Sequence, residues 1–390
     1  MPGILRLHMS LWSLVLCCLV CACDADQDGG ADGTGPERIE VSQAVDRHLW
    51  DGGYYVGGDW DPDFNDGAFY GTAYYIRQGL EQGNTAYVNR AEEMMAFNAG
   101  ILRRALQEPL SYFAMNLDAV AMAMLGSIEY AAATGEPRSL PDIDAVLNLA
   151  NAALLILYGN YVTADEIPES YFMETYGATV ATSVVALANL QYAVLLEGSD
   201  KRRSRVNSAR KIVAAIETAA WNGEFFKKDP GNEKLFLYPN VMMMLCYCRL
   251  YQATGEPENL EKAEVLFQAI QPLKRTDRPG YTSPYSAQQM GAATDDYSTL
   301  SSQNYLMFAL ALLSRTTGKV IYCNELREVR RFVEDYLLDS THARLLHHWM
   351  DGQIAQPTDP EYFCSGCNLQ FLYMGWWADH YTQCAVPNPR

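Results

Sequence analysis

Carboxylates gather most densely in the stretch Gly57-Gly58-Asp59-Trp60-Asp61-Pro62-Asp63-Phe64-Asn65-Asp66-Gly67. Paired carboxylates serve as general acid and base once their surroundings push their pKa values apart. The alternation of Asp59, Asp61 and Asp63 also imitates a calcium loop, but Phe64 stands where such loops need glycine. A third reading is structural: Asp66 caps a helix and the others are solvated turn residues. A second acidic site is Asp295-Asp296-Tyr297, where Asp296 doubles as a candidate helix cap. Gln303 and Asn304 follow about two turns further on. If buried, their amides need a neighbour or a ligand to bond.

A third cluster, His347-His348-Trp349-Met350-Asp351-Gly352, precedes Cys364-Ser365-Gly366-Cys367. Two histidines and two cysteines would suit zinc. The Cys-x-x-Cys pair would equally suit redox work, but no βαβ pattern surrounds it. A local Cys364–Cys367 disulfide is expected instead, with no metal. No nucleophile elbow and no glycine-rich phosphate loop occurs in the sequence, so no cofactor is expected. The catalytic candidates are Asp61, Asp66 and Asp296. The substrate-binding candidates are Trp60, Tyr297, Gln303, His348 and Trp349.

The elements that must position these residues are helices. Leu245 to Glu264 is the template: an apolar helix runs into Gly255, turns through Glu256-Pro257, and restarts as a polar one. Glycine suits the left-handed residue past a helix end, and proline the first turn of the next helix. The punctuation recurs at Gly135 and Gly318, and more loosely at Gly83 and Gly198, at intervals of 52 to 63 residues. Periodicity predicts amphipathic helices near 37–50, 84–107, 139–158, 200–220, 257–271 and 321–338. They alternate with apolar ones near 66–82, 112–133, 174–196, 237–253, 298–316 and 363–383. One water-facing and one enclosed helix per repeat is what a double ring requires. The glycine turns are short and the connections at the opposite end mostly long, so function is expected at the long-loop end.

Six such hairpins, with their Ala-Thr-Gly-Glu-Pro turns, resemble the α/α-toroid proteins. In particular they resemble the six-hairpin glycosidase superfamily and its N-acylglucosamine 2-epimerase relatives. The resemblance covers about residues 37 to 384 and implies an all-α fold, an (α/α)6 toroid of six helical hairpins. It further implies a cleft at the long-loop end where relatives bind sugars. No catalytic motif of the family carries over residue by residue. Ring closure sets the last helix between the first and fifth inner helices, so the loops holding Asp61, Asp296 and His348 are expected to converge.

The ends of the chain carry an address. Arg6, an apolar run from Leu11 to Val20, and Val20-Cys21-Ala22-Cys23 read as a secretory signal, too short to span a membrane. The last four residues resemble the bacterial lipobox, which implies cleavage after Ala22 and a lipid on Cys23. The expected organisation is a signal peptide over 1–22, an Asp/Gly-rich tether over 23–36, and one toroid domain over 37–390. A net charge of −18 argues against nucleic acid and against charge-driven binding to anionic lipid. A location in the cell envelope follows, with membrane contact through the lipid anchor alone. In such a compartment disulfides form. Cys323 and Cys384 both fall at the short-turn end and are expected to pair, whereas Cys246 and Cys248 are expected to be buried thiols. Two functions fit: a glycan-active hydrolase or lyase using a carboxylate pair at the rim, or a non-catalytic surface protein binding glycan or protein there.

Overall fold

Three of the glycine turns share one local structure. In each, a threonine precedes the glycine and donates its hydroxyl to the carbonyl four residues back: Thr134 to Tyr130, Thr254 to Leu250, Thr317 to Leu313. The same hydroxyl then accepts the N–H just beyond the glycine, from Glu136, Glu256 and Lys319. Gly255, at φ 73°, donates its own N–H to Tyr251. A residue with a Cβ is strained in that left-handed state, which is why glycine recurs there. Each turn therefore stops one helix and aims the next without a ligand or partner.

The computed structural model describes Val41 and residues 66–107, 109–136, 140–161, 171–196, 198–229, 233–283, 297–339, 344–345, 348–350, 353–354 and 365–381. Among them are eleven α-helices: α1 (Asp66–Gln82), α2 (Thr85–Gln107), α3 (Pro109–Thr134), α4 (Leu140–Tyr161), α5 (Tyr171–Leu195), α6 (Ser199–Ala220), α7 (Leu237–Thr254), α8 (Pro257–Ala269), α9 (Leu300–Thr317), α10 (Val320–Phe332) and α11 (Ser365–Tyr381). Of the helix expected at 37–50 only Val41 is described, helical and buried. The expected helices at 257–271 and 321–338 end early. A 3-10 turn (Gln271–Leu273) and a π-helical turn (Val333–Leu337) continue them.

Every odd-numbered helix packs on the next odd one, and α11 returns to pack on α1. The six thus close a ring. Helices α2, α4 and α6 each wedge against two ring helices, while α8 rests on α7 and α10 on α9. Burial follows this arrangement. All of Leu237–Cys248 in α7 and all of Leu300–Ser314 in α9 are buried, whereas α8 buries only Ala263, Leu266 and Phe267. The fold is an (α/α)6 toroid. Residues 36–390 form one compact unit.

Two small antiparallel sheets, which periodicity did not predict, sit in the long connections. Strand β1 (Tyr297–Thr299) pairs with β4 (His348–Met350), which pairs with β5 (Gln353–Ile354); β2 (Leu338–Asp339) pairs with β3 (Arg344–Leu345). Strands of two or three residues are too short to show a period of two.

The connections are held down by a repeated device. Asn240, Gln303 and Asn368 each occupy the fourth residue of an inner helix. Each presents its amide to the backbone of one residue in the preceding connection. Asn240 accepts from Phe226 N–H at 2.7 Å and donates to its carbonyl at 3.0 Å. Gln303 does so with Tyr281 at 3.2 and 2.8 Å, and Asn368 with Leu345 at 2.8 and 2.9 Å. A side-chain amide here completes what a neighbouring strand would supply.

Candidate functional site

At the end of the ring where the long connections enter, side chains from the first turns of the inner helices meet across the bore. Tyr70 from α1 and Tyr305 from α9 are hydrogen-bonded through their hydroxyls. Gln370 on α11 donates to Tyr70 Oη at 3.0 Å and accepts from Asn304 Nδ2 at 3.1 Å. Asn304 also donates to the Cys367 carbonyl at 3.0 Å. Tyr238 from α7 sets its ring 5.2 Å from that of Tyr305, and Phe69 lies 5.8 Å from Tyr373. Four helices thus contribute to one aromatic and amide floor. Asn304 Oδ1 is buried there with no hydrogen-bond partner among the described residues, a place where an acceptor is left over.

Deeper in the bore the lining turns ionic. Arg77 Nε and Nη2 donate to Glu129 Oε2 at 3.1 and 2.5 Å, and the guanidinium lies 5.1 Å from the Trp376 ring. Trp376 Nε1 donates to Glu81 at 2.9 Å, which ties α11 to α1. Arg249 sits 5.0 Å from Trp377 and 5.6 Å from Phe308, and burial lowers its pKa. Burial, then the Glu129 charge, pushes the Tyr373 hydroxyl well above its ordinary range.

The residues expected at the site fall out unevenly. Asp59, Trp60, Asp61, Asp63, Asp295, Asp296, His347, Cys364, Cys384 and Cys23 lie outside the described residues. Asp66 opens α1, where only its backbone is described. Tyr297 stands in β1, opposite Met350, while His348 and Trp349 in β4 pair with Thr299 and Ser298. Two of the three expected connections therefore meet strand to strand. The third enters α1, which packs beside α11.

Gln303 is fully buried, and its amide is committed to the backbone of Tyr281, the kind of neighbour expected for a buried amide. One expectation is corrected. Cys367 is a buried thiol and not half of a local disulfide with Cys364. It lies in the first turn of α11, whose carbonyl ladder is engaged by Asn304. Cys246 and Cys248 are buried thiols as expected. Among the described residues no cluster of three or more His, Cys, Asp or Glu could hold a metal, and no helix is long and apolar enough to cross a membrane. The floor residues Tyr70, Tyr305 and Gln370 escaped the sequence reading. Their only signal there is a polar side chain on an otherwise apolar helix.

No family model matches the chain, and no curated protein matches it. Solved structures do. A D-mannose isomerase superposes with a TM-score of 0.64 at 12% identity, covering 90% of this chain and 99% of its own. The likeness shows the (α/α)6 toroid fold. Cellobiose 2-epimerase from Bacillus thermoamylovorans B4167 gives 0.58 at 11% identity, with 87% and 96% covered. An inactive variant of the GH76 α-1,6-mannanase of Salegentibacter sp. HEL1_6, two adjacent aspartates replaced by alanine, in complex with α-1,6-mannotetrose gives 0.58 at 14%, with 89% and 99% covered. The toroid shared across such low identity is a scaffold whose activity depends on what the connections place over it.

Proposed function

We propose that this protein binds glycans at the long-connection mouth of its toroid and cleaves them with a carboxylate pair. The observation that carries the reading is the β1–β4 pairing. It brings the connection ending in Asp296-Tyr297 against the one holding His348 and Trp349, at the end of the bore floored by Tyr70, Tyr305 and Gln370. Asp61 and Asp66 precede and open α1, the helix that brings Tyr70 to that floor. Solved toroids that share the fold include a D-mannose isomerase, a cellobiose 2-epimerase and an α-1,6-mannanase, the last inactive as a variant lacking two adjacent aspartates. This chain has such an adjacent pair in Asp295-Asp296. In the proposed chemistry one aspartic acid, its pKa raised, protonates the leaving oxygen while an ionised partner activates water. Trp60, Tyr297 and Trp349 supply ring faces for stacking, and His348 a polar contact.

The second reading, a surface protein that binds glycan or another protein without turnover, uses the same mouth. Asp61→Asn and Asp296→Asn, measured beside wild type for binding and hydrolysis of α-1,6-mannotetraose and a panel of other oligosaccharides, decide between them. Loss of turnover with binding kept supports the enzyme. Binding without turnover by all three proteins supports the binder, and no binding by any of them removes the glycan reading. The anchor belongs to the same proposal: a lipid on Cys23 holds the toroid at a bacterial envelope membrane. Cys23→Ser is expected to move it to the soluble fraction or leave it unprocessed.

A further inference from the structure

On the outside of the ring, away from the bore, a cavity of about 540 Å³ opens between outer helices α6 and α8, with α7 behind it. This is within the size range of small-molecule sites. Its walls are largely aromatic and aliphatic, with Trp221 and Tyr247 the main rings, and its charged groups are Glu217, Glu258, Glu261 and Lys262.

One of these groups shows what the cavity accepts. Lys262 lays its ammonium 5.3 Å from the centre of the Tyr247 ring and 2.6 Å from Glu217 Oε1. An aromatic face with a carboxylate beside it is a cation site, and here the chain fills one with its own side chain. The Tyr247 hydroxyl donates to the same Glu217 oxygen at 2.5 Å. Burial and Glu217 push that hydroxyl's pKa far up, so it stays a neutral donor.

The remainder of the cavity repeats these ingredients without the cation. Trp221 is only partly buried. Glu258 and Glu261 are exposed and carry no ion pair among the described residues. With Glu217 answered by Lys262, two negative charges face an aromatic wall. A neutral sugar would use those carboxylates only as hydrogen-bond acceptors, whereas a cation with an apolar body also answers their net charge and fits the wall.

We propose that this groove is a binding site for a small organic ammonium ion carried on an apolar body. The ammonium lies over Trp221 between Glu258 and Glu261, and the apolar part takes the aliphatic wall. The site is separate from the bore mouth and does not depend on the glycan reading.

Titration calorimetry with benzyltrimethylammonium as probe and benzyl alcohol as neutral comparator tests it. The cation is expected to bind and benzyl alcohol to bind several-fold more weakly. Affinity falls as salt rises. The double variant Glu258→Gln/Glu261→Gln is expected to weaken the cation about threefold to tenfold, and Trp221→Ala by a similar factor. Lys262→Met removes the built-in competitor and bares Glu217, so it is expected to strengthen cation binding. That sign separates a cation site from a sugar site, where loss of a hydrogen-bond donor would weaken binding. Asp61→Asn and Asp296→Asn should leave the cation affinity unchanged, so failure here and failure at the bore are distinguishable. No cation binding at millimolar probe, equal binding of benzyl alcohol, or weaker binding by a folded Lys262→Met protein overturns the proposal.

Discussion

Gln303 grips Tyr281 by both backbone atoms, accepting its N–H and donating to its carbonyl from a fully buried position. The carbonyl has a second donor in Ser298 Oγ at 2.6 Å, so Gln303→Leu orphans mainly the N–H. A buried unpaired group of this kind costs about 1–3 kcal/mol. Denaturant unfolding is expected to show a loss in that range, with faster hydrogen exchange at Tyr281. Asn240→Leu and Asn368→Leu should behave alike, because the device is the same. A Gln303→Leu midpoint equal to wild type would remove the clamp.

Gly280 and Gly255 separate two roles of glycine. Both are left-handed, at φ 92° and 73°. A Cβ on Gly255 would meet nothing within 4 Å, but one on Gly280 would lie 2.5 Å from Phe332 Cγ. Gly255→Ala therefore carries only the backbone strain, about 1–2 kcal/mol. Gly280→Ala adds overpacking and is expected to cost about 1–3 kcal/mol more. Thermal unfolding of the two variants side by side checks the difference. Equal losses would show that the Phe332 ring yields freely.

The cysteines should divide by environment. Burial pushes Cys248 up to about 12, with Arg249 opposing and Glu264 adding to the rise; burial also raises Cys246. Neither thiol is expected to react with iodoacetamide at pH 8 until the protein is unfolded. Cys323 is buried, with its Sγ 2.9 Å from Ser314 Oγ. Its proposed partner Cys384 lies outside the described residues. Closing that loop is worth about 4 kcal/mol in the chain-entropy treatment. Non-reducing peptide mapping that joins Cys323 to any other residue rejects the pairing.

Glu264 links α8 to α10. Burial alone would raise its pKa, but bonds from Lys319 and from Tyr322, the latter at 2.7 Å, outweigh it and the net shift is downward. A carboxylate depressed in the folded state stabilises above its unfolded pKa of about 4.3 and loses that contribution as pH falls through the folded value. Glu264→Gln is therefore expected to flatten the acid limb of the stability profile between pH 5 and 3, as order-of-magnitude bounds. Superimposable acid limbs would count against the link.

The ring was legible because its rules are local. Gly83, Gly135, Gly198, Gly255 and Gly318 all take positive φ, and each marks a helix end in the sequence. The all-round apolar runs through Leu237–Cys248 and Leu300–Ser314 announce enclosed helices. The floor was not legible, because its bonds are long-range: Tyr70 meets Tyr305 across 235 residues and Gln370 across 300. The amide clamps were hidden for a different reason. Asn240 or Gln303 reads the same whether it bonds a backbone or a ligand, and only the fold reveals the partner. Convergence of the Tyr297 and His348 connections was anticipated from ring order; their strand pairing was not.

Closure of the ring by α11 on α1 also has a kinetic consequence. Gln370 and Trp376 reach Tyr70 and Glu81 over 300 and 295 residues, so α1 waits for α11. Contacts of such sequence separation form late, after the entropy of a whole chain's loop has been overcome. Helix α1 can pack on α2 and α3 early, yet its flank toward α11 stays bare until α11 has been made. A chain truncated before Ser365 is thus expected to expose more apolar surface than it loses, and to aggregate instead of folding as five-sixths of a ring.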